Sequence, residues 1–166
     1  VYGAAYGEAC RVAHAKAETP EELERLRQSK YVQSEIELTF RAVRDDLRAG
    51  RKVLFCGAPC QVAGLRAYLD KDYDGLYLVD FVCRGVNSPL AYRYWLDGLA
   101  SKKGSVVSRV WFKYKEGGWK TSPLRSRVDF EDGEYVVLEG KGNTYMRGYL
   151  ESNLYFRRSC AQCEFK

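Results

Sequence analysis

Histidine is almost missing from this chain: His14 is the single one, and no neighbouring residue offers it a partner. On its own it is read as an exposed strand residue rather than a ligand. Long apolar runs are missing too. None approaches the ~18 residues of a membrane span, and no signal-peptide pattern opens the chain, so neither an anchor nor a secretory leader is expected. No repeat, low-complexity stretch or linker divides residues 1–166, and a chain of that length can bury one core, so a single domain is expected. It begins at Val1 rather than Met, and is accordingly read as a piece of a longer protein. Charge is not blocked by sign: 27 basic and 22 acidic side chains are interspersed, for a net charge of +5. With a mean hydropathy of −0.44, this describes the mixed surface of a soluble globular protein, and nucleic acid is not an expected partner.

Cysteine, by contrast, occurs six times. The chain is too long for a small disulfide-stapled scaffold, so the thiols point to metal or redox work in the cytoplasm. Two of them lie in the run from Lys52 to Gln61. Val53, Leu54 and Phe55 read as a short buried strand stopped by Gly57 and Pro59, and a helix opens at Cys60 with Val62, Leu65 and Leu69 at helical spacing. A cysteine in the first helical turn faces unpaired backbone N–H groups and the positive end of the helix dipole, which favour a thiolate. The next apolar run, Leu76 to Val82, predicts a second strand ending at Cys83. Strand, helix and strand make a βαβ unit with parallel strands and a right-handed crossover. Cys60 and Cys83 then stand at the carboxyl edge of one sheet, where open α/β folds put their ligands.

Elsewhere, Tyr6 to Lys16 alternates loosely and predicts an edge strand carrying His14 and Cys10, an ordinary buried thiol. Thr19-Pro20-Glu21-Glu22 starts a helix with Leu23 and Leu26, and Ser34-Glu35-Ile36-Glu37 repeats the capping pattern before a stripe of Ile36, Phe40, Val43 and Leu47 closed by Gly50. Between the two, Ser29, Lys30, Tyr31 and Ser34 beside a helix N-terminus could hold a phosphate, but taken alone the segment is better read as a solvated helix connection. Ser88-Pro89 caps a helix carrying Leu90, Tyr94, Trp95 and Leu99 to about Gly104, its aromatic residues read as core. From Ser105 the period becomes two. Strands over 105–114, 126–130 and 135–139, with turns at Glu116-Gly117-Gly118 and Glu131-Asp132-Gly133, form an antiparallel meander. A last helix starts at Asn143 or Thr144, with Tyr145, Met146, Tyr149, Leu150 and Leu154 on its apolar side. The predicted class is α/β: a βαβ-containing sheet flanked by helices, with an antiparallel β insertion in the C-terminal half.

Cys160-Ala161-Gln162-Cys163 completes a candidate tetrahedral set with Cys60 and Cys83. Four thiolates hold a 4Fe–4S cluster, and structural zinc takes the same array, so spacing alone leaves both open. The setting favours iron, because Cys60 and Cys83 stand on the ligand edge of a sheet and Arg84, Arg157, Arg158 and Lys166 would offset the charge of an all-thiolate cluster. Taken singly, Cys56, Cys60 and Cys83 are each explained as a small buried hydrophobe. A Cys56–Cys60 dithiol is one residue too widely spaced for a C-x2-C redox pair.

Four segments in one order, Ser29 to Ser34, Cys56 to Leu65, Val79 to Pro89 and Arg157 to Lys166, resemble the C-terminal domain of the coenzyme F420 hydrogenase/dehydrogenase beta-subunit family. The resemblance implies an iron–sulfur flavoprotein oxidoreductase in which FAD exchanges a hydride with a deazaflavin such as coenzyme F420, or another redox substrate, and passes single electrons to a 4Fe–4S cluster. It implies Cys60, Cys83, Cys160 and Cys163 as metal ligands, and Ser29, Lys30, Tyr31, Ser34, Gly57, Pro59 and Gln61 as flavin-binding positions. Ala58 stands for the family's usual Thr, Arg84 for His, Arg158 for Pro and Ala161 for Tyr, and Gln28 stands where Gly commonly precedes Ser-Lys-Tyr. Relatives also carry a ferredoxin-like domain before this region and extend past Phe165-Lys166, so the implied electron partner is that domain or a separate redox protein. No residue offers itself as an obligatory acid–base catalyst. The competing expectation is a non-catalytic or zinc-stabilised interaction domain of a protein associated with polysaccharide biosynthesis.

Overall fold

The computed structural model describes the whole chain except Gly117, Trp119, residues 121–123 and Lys166. Its N-terminal run folds back on itself. Tyr2–Tyr6 (β1) and Val12–Lys16 (β2) are antiparallel, in register from Tyr2 against Lys16 to Tyr6 against Val12. The single edge strand read over Tyr6 to Lys16 is therefore a hairpin, reversed where Ala9 and Cys10 take left-handed φ of 50° and 58°. Cys10 is buried as expected, its sulfur 3.5 Å from the Val107 carbonyl, and burial pushes the thiol up to about 11.

Pro20–Leu23 (α1) starts where the sequence places it, with the Thr19 hydroxyl accepting from the Glu22 N–H at 3.3 Å. Thr39–Arg48 (α2) does not start at Ser34. The Ser34 hydroxyl is bonded to His14 instead, and the Glu35 main chain pairs with β2, donating to the Val12 carbonyl at 3.0 Å and accepting from the His14 N–H at 2.8 Å. Two sheet bonds and a buried side-chain bond outcompete one local cap.

Val53–Cys56 (β3), Pro59–Leu69 (α3) and Leu76–Val79 (β4) form the βαβ unit, with β4 parallel to β3 and β3 parallel to β1, in the order β2-β1-β3-β4. Val53 and Phe55 turn one face of β3 onto Val43 and Leu47 of α2 and Leu65 and Leu69 of α3, with Tyr2 of β1 in the same core. The second strand is three residues shorter than read: it ends at Val79, and Phe81 and Val82 are exposed.

Pro89–Lys103 (α4) buries Tyr92 and Leu96 with Trp95 and Leu99 half-buried beside them, so Leu90 and Tyr94 fall outside the packed face. Those two line a surface groove of about 620 Å³ with Trp95, Leu154 and Tyr155. Val107–Trp111 (β5), Ser126–Phe130 (β6) and Tyr135–Leu138 (β7) make the antiparallel meander. The turn read at Glu116-Gly117-Gly118 includes Gly117, outside the described residues. Thr144–Leu150 (α5) is capped by Asn143, whose Oδ1 accepts from Met146 N–H at 3.2 Å while its amide donates to Leu124 O and Ser126 Oγ. Leu154 lies beyond it, exposed. Aromatic rings fill the core between α4, α5 and the second sheet: Tyr145 touches Tyr92, Trp95, Phe112 and Tyr155.

Candidate functional site

β3 and β4 end side by side, Cys56 against Val79. From there Gly57, Ala58 and Pro59 turn the chain into α3. The Gly57 N–H donates to Val79 O at 3.1 Å, and a Cβ at Gly57 would lie 2.9 Å from Phe55 Cε1 and 3.2 Å from Gln61 Oε1. Only glycine fits that approach. Ala58 offers no capping side chain, so Gln61 supplies the cap: its Oε1 accepts from Ala58 N–H at 2.9 Å and its Nε2 donates to Ser34 O at 3.0 Å. Cys60 is thereby held, exposed, in the first turn of α3.

Cys83 sits in the loop after β4, and that loop is stitched to the C-terminal segment. Asn87 bridges Phe156, Ser88 N–H donates to Tyr155 O at 2.8 Å, and Arg157 N–H donates to Val86 O at 3.2 Å. The Phe156 ring comes so near Gly85 that a Cβ there would lie 2.9 Å from it, and Arg84 reaches Asn153 Oδ1 at 3.0 Å. Residues 158–162 then form a 3₁₀ turn that carries Cys160, with Cys163 just after it. The stitching brings two distant stretches to one place.

Electrostatics registers the meeting. Burial pushes the Cys83 thiol up, and Cys60, Cys160 and Cys163 push it further, with the Gly85 backbone opposing. Tyr149 is raised to about 12 by burial first, then by Tyr31 and by Cys83 and Cys160, with Arg84 pulling the other way. Cys60, Cys160 and Cys163 are thus each within electrostatic reach of Cys83. They do not close around a point: among the described residues no three His, Cys, Asp or Glu side chains are grouped closely enough to hold a single ion. Cys56 stands apart, raised by burial and by Asp80 with Lys30 opposing.

The side chains read as flavin contacts are engaged within the chain. The Lys30 ammonium donates to the carbonyls of Arg25, Leu26 and Arg27 at 3.2, 3.0 and 2.7 Å, so its three protons meet three acceptors. Burial, then Arg109, lowers its pKa to about 8. Ser34 is held by His14 and Gln61 is spent on the turn, while the Tyr31 ring packs edge-on to Phe112 and Tyr149. Ser29 is exposed, and Pro59 serves as the first residue of α3. Gln28 takes a φ of 70°, a left-handed conformation that glycine adopts without strain. Gln28→Gly is expected to stabilise the fold by about 1 kcal/mol, read as a higher urea midpoint with unchanged slope.

His14 departs furthest from its reading. It is buried, stacked on Phe55 at 5.1 Å and 14°, with Nδ1 2.8 Å from Ser34 Oγ and Nε2 3.1 Å from Cys56 O. Burial lowers its pKa below the ordinary 6.5, the Cys56 carbonyl opposing. The unfolded chain then takes up the proton first, so stability is complete above pH 6.5 and is lost as the pH falls through the lowered folded value. Urea midpoints at stepped pH should show that slope, at most about 1.4 kcal/mol per pH unit, and His14→Phe should remove it. Nothing local marks this residue; its partners come from residues 20 and 42 positions away.

The family described as the C terminus of the coenzyme F420 hydrogenase/dehydrogenase beta subunit matches residues 50–166, a stretch containing β3, β4 and all four convergent thiols. The chain belongs to that family. The F420 hydrogenase/dehydrogenase match begins after His14, Lys30 and Ser34, which come from the preceding residues. A chain of the F420-reducing NiFe hydrogenase complex from Methanosarcina barkeri, solved as a xenon derivative, has a similar fold, with a TM-score of 0.58 and 18% identity over 98% of this chain. This chain spans about half of that one, 52% of its length. No curated protein matches. Among the described residues no helix is long and apolar enough to cross a membrane.

Proposed function

We propose that this F420 hydrogenase/dehydrogenase family domain is the electron-transfer part of an iron–sulfur oxidoreductase, with Cys60, Cys83, Cys160 and Cys163 as the ligands of a 4Fe–4S cluster. The observation that carries the reading is the stitching of 84–88 to 153–157, which sets the Cys83 loop beside the segment leading into Cys160 and Cys163. Donor chemistry fits: four sulfurs suit iron–sulfur or zinc. The basic side chains Arg84, Arg157 and Arg158 next to these cysteines in the sequence favour the cluster, since they would offset the charge of four thiolates.

When bound, the cluster supplies one-electron transfer. The chain's own part is to hold the ligands. The first turn of α3 would present Cys60 at the surface, the 84–88 to 153–157 stitching would set Cys83 near the segment that carries Cys160, and Arg84 would supply positive charge from the same loop as Cys83. FAD, implied by the same resemblance, does not fit the side chains offered for it: Lys30, Ser34 and Gln61 have their polar groups engaged, and no step is assigned to it. The family description supports coenzyme F420 as the hydride carrier of the longer protein, and the multi-subunit complex of the similar structure is consistent with a redox partner, here a ferredoxin-like domain or separate redox protein.

Anaerobic reconstitution with iron and sulfide tests the assignment. The expected result is a brown protein with about four irons per chain, lost in Cys60→Ser and in Cys160→Ser but kept in Cys56→Ser. Stoichiometric zinc that resists exchange for iron, or retention of the cluster by Cys60→Ser, overturns it.

A further inference from the structure

We propose that His14 is the positioning residue of the Cys60 turn, an inference that rests on Cys60 being a cluster ligand. A chain of bonds connects it to that turn from both sides. The Cys56 carbonyl only accepts, so the His14 nitrogen 3.1 Å away, Nε2, carries the proton. Nδ1 is left as the acceptor and the Ser34 hydroxyl donates to it at 2.8 Å. Ser34 in turn accepts at its carbonyl from Gln61 Nε2, and Gln61 Oε1 holds the Ala58 N–H. Every residue from Cys56 to Gln61 thus lies between two anchors of one network: His14 at the strand end, Ser34 through Gln61 at the helix start. The ring is fixed as well, stacked on Phe55 one residue before the carbonyl it binds.

No other described hydrogen bond ties this turn to β2. Gly57 N–H anchors it to β4 through Val79 O, which fixes its height along the sheet edge. His14 fixes it from the opposite side, and therefore fixes where Cys60 points relative to Cys83 and the 158–163 turn. Burial keeps the imidazole neutral at working pH, so the donor–acceptor polarity of the chain does not change.

The test compares His14→Phe, which keeps the ring and stack but loses both bonds, with His14→Gln, whose amide nitrogen reaches the Nε2 position, and His14→Asn, which reaches only the Nδ1 position. Hydrogen exchange on the metal-free chain should show residues 56–62 opening about tenfold faster in His14→Phe, the scale of one lost hydrogen bond. Exchange in β6 and β7 should be unchanged, and His14→Gln should restore the wild-type rate where His14→Asn does not. After reconstitution, the cluster's midpoint potential should be displaced in His14→Phe and return in His14→Gln. Should His14→Phe fail to fold, the contrast between Gln and Asn decides alone. Unchanged exchange at 56–62, loosening spread equally over both sheets, or local loosening with wild-type iron content and potential each overturns the proposal. A wild-type chain that takes no iron overturns the cluster assignment instead, and the exchange arms still decide whether His14 holds the turn.

Discussion

Replacing Gly148 with alanine is expected to abolish iron uptake at the proposed cluster site and to destabilise the fold by about 1–3 kcal/mol, the usual cost of forcing atoms into a filled core. A Cβ at this position would lie 2.5 Å from Tyr155 Cε2, 2.7 Å from its hydroxyl and 2.8 Å from Cζ. Tyr145, stacked on the ring at 5.6 Å and 8°, hems it in on one side. Displacing the ring loads the backbone of Tyr155, whose carbonyl accepts the Ser88 N–H, and next to it the Asn87–Phe156 bridge. These are the bonds that bring Cys160 and Cys163 to Cys83. Gly98→Ala is the matched control: it changes a helical glycine to the same residue, but its Cβ meets nothing within 4 Å. There the gain in helix propensity should stabilise by up to about 1 kcal/mol. Urea midpoints and iron per chain measure both variants. A Gly148→Ala protein with wild-type iron content would show that the 155–157 segment does not position the C-terminal pair.

The sequence made local structure legible and misjudged what depended on distant partners. The 53–69 strand-turn-helix could be read because Val53, Phe55, Gly57, Pro59, Leu65 and Leu69 act on neighbours within a turn or two, and the meander from Ser105 because alternation is itself local. Ser34 was legible as a cap and became something else, since His14, 20 residues earlier, binds its hydroxyl. Likewise the face of α4 is set by Tyr145 and Phe112, which arrive later in the chain, so Tyr92 packs and Tyr94 does not. The C-x2-C pair and the two single cysteines could be nominated by type, and a family resemblance could join them. What the residues alone could not give is the stitching of 84–88 to 153–157, a pairing over some 70 positions carried mostly by backbone groups that leave no trace in side-chain pattern.

Tyr145→Ala should be the most damaging single change in the second core, and Tyr145→Phe among the mildest. The ring is 1% exposed and lies 5.0 Å from Trp95, 5.6 Å from Tyr92 and Tyr155, and 5.8 Å from Phe112. Truncation removes the hub of an aromatic cluster and leaves a cavity that four rigid rings cannot collapse to fill, a loss of about 3–5 kcal/mol. Against a typical total of about 5–15 kcal/mol, that leaves a marginal fold. The hydroxyl does less. It donates to Tyr31 O at 2.6 Å, but the same carbonyl also accepts from Asn87 Nδ2 at 3.2 Å, so Tyr145→Phe orphans no buried acceptor and should lose about 1 kcal/mol. Because Tyr145 also backs the Tyr155 ring, the alanine variant should lose iron uptake at urea concentrations far below its unfolding midpoint, and the phenylalanine variant should not. Equal losses in the two would mean that the hydroxyl, through Tyr31, carries the stability assigned here to ring packing, and the segment 29–34 rather than the aromatic core would then be what holds the C-terminal thiols in place.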